Sequence, residues 1–159
     1  LGGEIPVKRP YLIVVATCGS VALLAAAFGF QFIAGLPPCQ MCLWQRWGHA
    51  IAAAMGVLAL YWDTRAPVWL GGMAALSSGV TGFYHAGVEQ SWWPGFTSCS
   101  GGDVHDLSVD ELLDHILNAP LVRCNDIPWE MLGLSMAGWN AIFSLCLVVF
   151  WIQAARCPP

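Results

Sequence analysis

The chain has 159 residues, enough for one domain. Apolar side chains make up 57% and charged ones 10%, against roughly 25% charged in an ordinary soluble domain, so this chain lacks the charge to cover a wetted surface. The net charge of −4 and the absence of a basic cluster exclude a nucleic-acid binder, which leaves an all-α membrane protein lying in a lipid bilayer.

Four apolar runs follow in chain order, approximately 11–34, 43–62, 68–86 and 132–152. Each is near the ~20 residues a helix needs to span the hydrocarbon core. The first run holds no charge and is longer than the ~7–15 apolar residues of a cleaved signal peptide. A spanning segment must satisfy its own backbone groups, so the runs are read as a four-transmembrane-helix bundle forming a single membrane domain over 1–159. A soluble bundle is disfavoured because these helices offer no polar face to water.

Charge gives the orientation. Lys8 and Arg9 precede the first run, Arg65 lies between the second and third, and Arg156 follows the fourth. The opposite side has loops at about 35–42 and 87–131, the longer one carrying eight acidic residues against Arg123 alone. By the positive-inside rule both termini are cytoplasmic and both loops face outward. Trp44, Trp47, Trp92, Trp93 and Trp129 fall at that outer boundary, as an aromatic belt would.

In the long loop, Trp92-Trp93-Pro94-Gly95-Phe96 is a turn-rich stretch leading to Cys99. Ser108 and Glu111 have capping-box spacing, and Val109, Leu112, Leu113, Ile116 and Leu117 repeat on one helical face. This predicts a short amphipathic helix, lying on the membrane surface or packed on the loops of the bundle. Asn118-Ala119-Pro120 ends it, and Cys124 follows.

Of the seven cysteines, Cys39 and Cys42 form a C-x-x-C pair behind Leu36-Pro37-Pro38, where the second helix starts. A sulfur at a helix N-terminus is favoured as a thiolate. Cys42 and Arg46 stand at i and i+4, so the guanidinium is expected to stabilise the Cys42 anion. The alternative for Arg46 is an anchor that snorkels to the interface. An ionisable group at membrane depth is nevertheless a functional candidate. Cys99 and Cys124 lie about 25 residues apart in the outer loop, a modest closure, and are either a static staple or an exchangeable disulfide. Outward-facing disulfides require an oxidising compartment. Cys18 and Cys146 read as small hydrophobes within apolar helices, and Cys157 faces the cytoplasm.

His85 and Glu89, at i and i+4 at the outer end of the third run, are candidates for cofactor contact or proton relay, or an ordinary interfacial pair. His49, a turn beyond Arg46, is a candidate for the same pocket, while His105 and His115 read as solvated loop residues. Trp44 and Trp47 either wall that pocket or anchor the interface.

Together these features resemble the disulfide bond formation protein B (DsbB) family of bacterial inner membranes. The Pro-Cys-x-x-Cys-x-x-x-Arg stretch fits Pro38, Cys39, Cys42 and Arg46 without gaps. Cys99 and Cys124 match the loop pair, and Trp129-Glu130-Met131-Leu132-Gly133-Leu134-Ser135-Met136 with Trp139 is similar to the approach to the last helix. The resemblance implies a multi-pass inner-membrane thiol:quinone oxidoreductase. It would use ubiquinone or menaquinone and reoxidise a DsbA-like periplasmic oxidase of thioredoxin fold. It implies that Cys99, paired with Cys124, forms the mixed disulfide with that partner, that Cys124 exchanges with Cys39, and that Cys42 meets the quinone beside Arg46. His85, Glu89 and Trp47 complete the expected quinone site. Some relatives carry a neutral amide where this chain has Glu89.

Three rival readings have distinct signatures. Zinc prefers compact ligand pairs; the first cysteine pair has that spacing and the second does not, so no metal is expected. A structural protein would hold inert disulfides. The vitamin K epoxide reductase class, also quinone-linked, typically carries its C-x-x-C late in the bundle rather than at the second helix.

Overall fold

The computed structural model describes residues 8–62, 64–96, 108, 113, 117 and 122–158. Four long helices dominate them: α1 (Arg9–Phe32), α2 (Gln40–Tyr61), α3 (Ala66–Glu89) and α4 (Met136–Arg156). Pro10 and Pro67 stand in the first turns of α1 and α3, where a missing N–H removes no intrahelical bond. Gly35, with φ of +68°, turns the chain between α1 and α2. The helices pack in a closed ring, α1 on α2, α2 on α3, α3 on α4 and α4 on α1. Arg9 Nη2 donates to the Thr64 carbonyl at 2.6 Å, tying the start of α1 to the α2–α3 turn. The amphipathic helix expected over 108–117 falls mostly outside the described residues; Leu113 and Leu117 are helical and exposed.

The fourth helix starts four residues later than its apolar run. Glu130–Met131 (β1) pairs antiparallel with Leu134–Ser135 (β2). Leu132 and Gly133 between them both have positive φ, 55° and 75°. That is the turn that matches the twist of a two-residue hairpin, so these residues are taken from the helix. Ser135 then caps α4, its Oγ accepting from Gly138 N at 3.2 Å.

Burial runs opposite to that of a soluble bundle. Thr17, Ser20, Gln45, His49, Ser78 and Ser144 are buried, whereas Val57, Met73, Val80, Phe83 and Val149 face outward. In lipid, helix association depends on close backbone approach and interhelical hydrogen bonds, and large apolar side chains belong outside. Gly48, Ala52 and Gly56 are buried along one face of α2. A Cβ at Gly56 would lie 1.9 Å from Thr17 Oγ1, and one at Gly48 would lie 2.9 Å from the Ala74 carbonyl oxygen. α1 and α4 are long and apolar enough to cross a membrane. α2 and α3 are as long, 22 and 24 residues. Gln45, Arg46 and His49 dilute the apolar character of α2, as glycines and serines dilute that of α3.

Candidate functional site

Pro37 and Pro38 hold the chain extended up to Cys39, and Cys39 is the N-cap of α2. Its Sγ accepts from the Cys42 backbone N–H at 3.3 Å and lies 3.0 Å from Cys42 Sγ. Both are free thiols. The hydrogen bond from the Cys42 thiol, working against burial, holds Cys39 below the ordinary thiol range, with help from the α2 amides. This differs from the expectation of a stabilised anion on Cys42: the residue that caps the helix receives the amide, and Cys42 is already inside the first turn. Thiolate chemistry at Cys39 should therefore begin at lower pH than for an unperturbed thiol. In protein lacking Cys18, Cys146 and Cys157, the pH profile of Cys39 alkylation should lie to the acid side of a peptide thiol. Cys42→Ala should move it back up; an unmoved profile would remove Cys42 as the cause.

His85 joins the two cysteine-bearing segments. Its Nε2 lies 3.6 Å from Cys39 Sγ and 3.1 Å from the Cys124 carbonyl oxygen, and its Nδ1 is 3.1 Å from Gln45 Nε2. Cys39 Sγ, His85 Nε2 and Cys124 Sγ all lie within 4.8 Å of one another, and all three residues are buried. Cys124 is fully buried and disulfide-bonded. Met41 and Val88 pack around this sulfur cluster. Glu89, one turn on from His85, has Oε1 3.8 Å from His85 Nε2 and accepts a hydrogen bond from Ser135 Oγ. The hairpin thus links the end of α3 to the start of α4 beside the thiols.

A cavity of about 440 Å³ opens beside the cluster. Cys39, Cys42, Gln45, Arg46, His85 and Glu89 supply its polar end, and Leu23, Ala27, Phe30, Met136 and Phe143 contribute apolar wall. Arg46 reaches across to α1: Nη1 donates to Gln31 Oε1, Nη2 donates to the Ala27 carbonyl at 3.1 Å, and Cζ sits 5.0 Å from the Phe28 ring centroid. Its hydrogen bonds go to α1, whereas the sequence spacing had pointed it at Cys42. Arg46 Nε is buried and has no hydrogen-bond partner among the described residues.

Other expected residues lie elsewhere. Trp47 is 69% exposed and is not part of the cavity wall. With about 100° between successive helical residues, a chain that turns Arg46 inward turns Trp47 outward. Trp44 is also exposed and meets Phe96, ring centroids 6.1 Å apart. His49 is buried deeper in the bundle, its Nε2 3.0 Å from Asn140 Oδ1 and 3.2 Å from Ser144 Oγ. Cys18 and Cys146 are exposed on the outside of the bundle. Cys99, His105 and His115 fall outside the described residues. Sequence reasoning missed Gln45, which orients His85, Gln31, which braces Arg46, and Ser135, which binds Glu89. Two of them, Gln31 and Gln45, are amides inside apolar runs, a signal that marks polar contacts within a bundle as ionisable groups do.

Comparison with known proteins decides the family. Residues 8–154 match the family described as "Disulfide bond formation protein DsbB". The chain belongs to the DsbB family. It is similar to the "Disulfide bond formation protein B" of Idiomarina loihiensis, 30% identical over 94% of this chain and 86% of that protein. The corresponding protein of a Polaromonas species is 31% identical over 89% of this chain and 84% of its own length. The "Disulfide bond formation protein B 2" of Pseudomonas aeruginosa is 31% identical over 86% and 85%. No solved structure matches the chain. Membership makes this a membrane-associated thiol:quinone oxidoreductase, which reoxidises a DsbA-type dithiol oxidase in disulfide bond formation.

Proposed function

We propose that the cluster of Cys39, His85 and Cys124 is the exchange point between two redox couples on the outer face of a four-span, inner-membrane bundle with both termini cytoplasmic. In this reading 1–159 form one membrane domain, and α2 and α3 cross the bilayer beside α1 and α4. Cys99 is the disulfide partner of Cys124 and the sulfur met by a periplasmic thioredoxin-fold dithiol. The partner's thiolate attacks Cys99, and Cys124 leaves as a thiolate. Cys124 next attacks Cys39 of an oxidised Cys39–Cys42 pair and releases Cys42. The partner's second thiolate then attacks its mixed disulfide and releases Cys99. Cys99 attacks Cys124, re-forming the loop disulfide and expelling Cys39 as the second thiolate; two electrons thereby pass from the partner dithiol to the C-x-x-C couple. The observation that carries this reading is the approach of Cys39 Sγ to within 4.8 Å of Cys124 Sγ, although 85 residues separate them in the chain.

The residues beside the cavity fit a quinone headgroup. The orphaned Arg46 Nε is a buried donor suited to a carbonyl oxygen, and an apolar wall suits a ring and an isoprenoid tail. A bound ubiquinone or menaquinone supplies the two-electron acceptor. Arg46 would hold it, with His85 and Glu89 beside it, and Cys42 stands at the cavity edge. Gln45 fixes the His85 ring, and Ser135 fixes the Glu89 carboxylate. The protein's own contribution is to align sulfurs and carry protons away from them.

The test is reconstitution. Purified protein in detergent, a quinone and a reduced thioredoxin-fold dithiol protein should yield quinol catalytically. Cys39→Ser should reduce the rate to background. Quinol formation that survives Cys39→Ser would refute the exchange point.

A further inference from the structure

We infer that the fully reduced protein binds one thiophilic divalent cation, of the zinc type, through Cys39, Cys42, Cys124 and His85. Spacing along the chain argued against zinc, because only the first cysteine pair is compact. The fold changes the ligand set: it brings Cys124 and a histidine to the C-x-x-C pair. Zinc binds thiolate at about 2.3 Å and imidazole nitrogen at about 2.0–2.1 Å, and tetrahedral angles then put donor atoms roughly 3.6–3.8 Å apart. Cys39 Sγ and His85 Nε2 stand 3.6 Å apart, the three-residue cluster spans no more than 4.8 Å, and Cys42 Sγ lies 3.0 Å from Cys39 Sγ. Cys42 stands outside that three-residue cluster but against Cys39, and in this proposal rotation of its side chain supplies the fourth ligand.

Supporting residues are also in position. A histidine ligand needs a partner on its other ring nitrogen, and Gln45 meets His85 Nδ1 at 3.1 Å. With the amide turned so that Oε1 accepts from Nδ1–H, Nε2 gives up its contact with the Cys124 carbonyl and presents its lone pair to the ion. Cys39, Cys42 and His85 line the cavity, which gives an ion a route in.

Oxidation state governs the site. Cys124 is in a disulfide and offers no thiolate in this structure. Two electrons and two protons from a dithiol convert that bond to two thiols, and the dithiol becomes a disulfide. The cation then displaces the protons of the three cysteine ligands. A protein holding electrons at both couples is thereby capped by the metal, which blocks sulfur exchange until the ion is withdrawn. The site itself needs only the reduced sulfurs and does not depend on the quinone reading.

The experiment uses the whole protein in detergent, reduced with a phosphine under nitrogen, and titrated with Co²⁺. Expected is one equivalent of Co²⁺ with tetrahedral d–d bands and thiolate charge-transfer absorption, displaced by one equivalent of Zn²⁺. The oxidised protein should give neither signal. Gln45→Leu should weaken the affinity about 10-fold or more. Replacing Cys18, Cys146 and Cys157 together should leave the spectrum unchanged, and His85→Ala should abolish the tetrahedral bands. Equal uptake by oxidised protein, an octahedral spectrum, or no uptake by reduced protein with intact helical circular dichroism would overturn the assignment. The oxidised-against-reduced comparison stands without any variant.

Discussion

Cys42→Ser should convert most of the protein to a form cross-linked between Cys39 and Cys124. The starting arrangement is a free Cys39 thiol facing a disulfide-bonded Cys124, sulfur to sulfur within 4.8 Å. Cys39 attacks Cys124, the loop disulfide opens, and the proposed partner Cys99 leaves as a thiolate. No outside oxidant is required, since one thiolate replaces another. In the natural protein Cys42, 3.0 Å from Cys39, resolves the bridge by attacking Cys39 and expelling Cys124 as a thiolate. Oriented groups reach effective molarities of about 10⁵–10⁸ M, so the bridged state is short-lived while Cys42 is present. Without Cys42 it accumulates, and quinol formation falls to background. Non-reducing proteolysis with mass spectrometry should find peptides holding Cys39 and Cys124 joined and a free thiol at Cys99. Peptides joined only as Cys99–Cys124 would show that the two couples do not communicate.

Arg46→Gln should separate the two halves of the reaction. The substitution removes the buried Nε donor at the cavity and both bonds to α1. Hydrogen bonds to charged groups contribute about 1.5–3 kcal/mol, so kcat/KM for quinone should fall roughly 10- to 150-fold, mainly through KM. Reduction of the loop couple by the partner dithiol, followed by stopped flow without quinone, should change less than about twofold because the sulfur cluster does not use Arg46. Gln31→Leu is the control. It removes one brace but keeps the charge and the Nε donor, so its effect should be several-fold smaller. Equal losses in the two variants would make Arg46 a brace between α1 and α2 and nothing more.

The four helices were legible because each is a run of apolar residues bounded by Pro, Gly or charge. The C-x-x-C pair was legible as a helix start because Pro37 and Pro38 precede it. The meeting of Cys39 with Cys124 was not, since it is a contact between residues 85 apart, made where Cys124 is seated against His85, and no periodic pattern reports it. The resemblance to a family supplied that expectation, and Cys39 Sγ lies within 4.8 Å of Cys124 Sγ. The place of Trp47 was not legible for a general reason: at a membrane boundary an aromatic residue suits a pocket wall and a lipid-facing belt equally, and only the helix rotation decides. The beginning of α4 was misjudged because Leu132 and Leu134 look like helix and are used as a hairpin.

The capping of α2 by a sulfur atom has a mechanical result. Cys39 Sγ accepts the Cys42 amide, and an anionic sulfur is a far better acceptor than a neutral one in a disulfide. If Cys39 cycles between thiolate and disulfide as proposed, each catalytic cycle tightens and loosens the first turn of the helix that carries Arg46. In the proposed exchange the same atom that moves electrons acts as a latch on the backbone, so the stiffness of this corner of the protein keeps time with its chemistry.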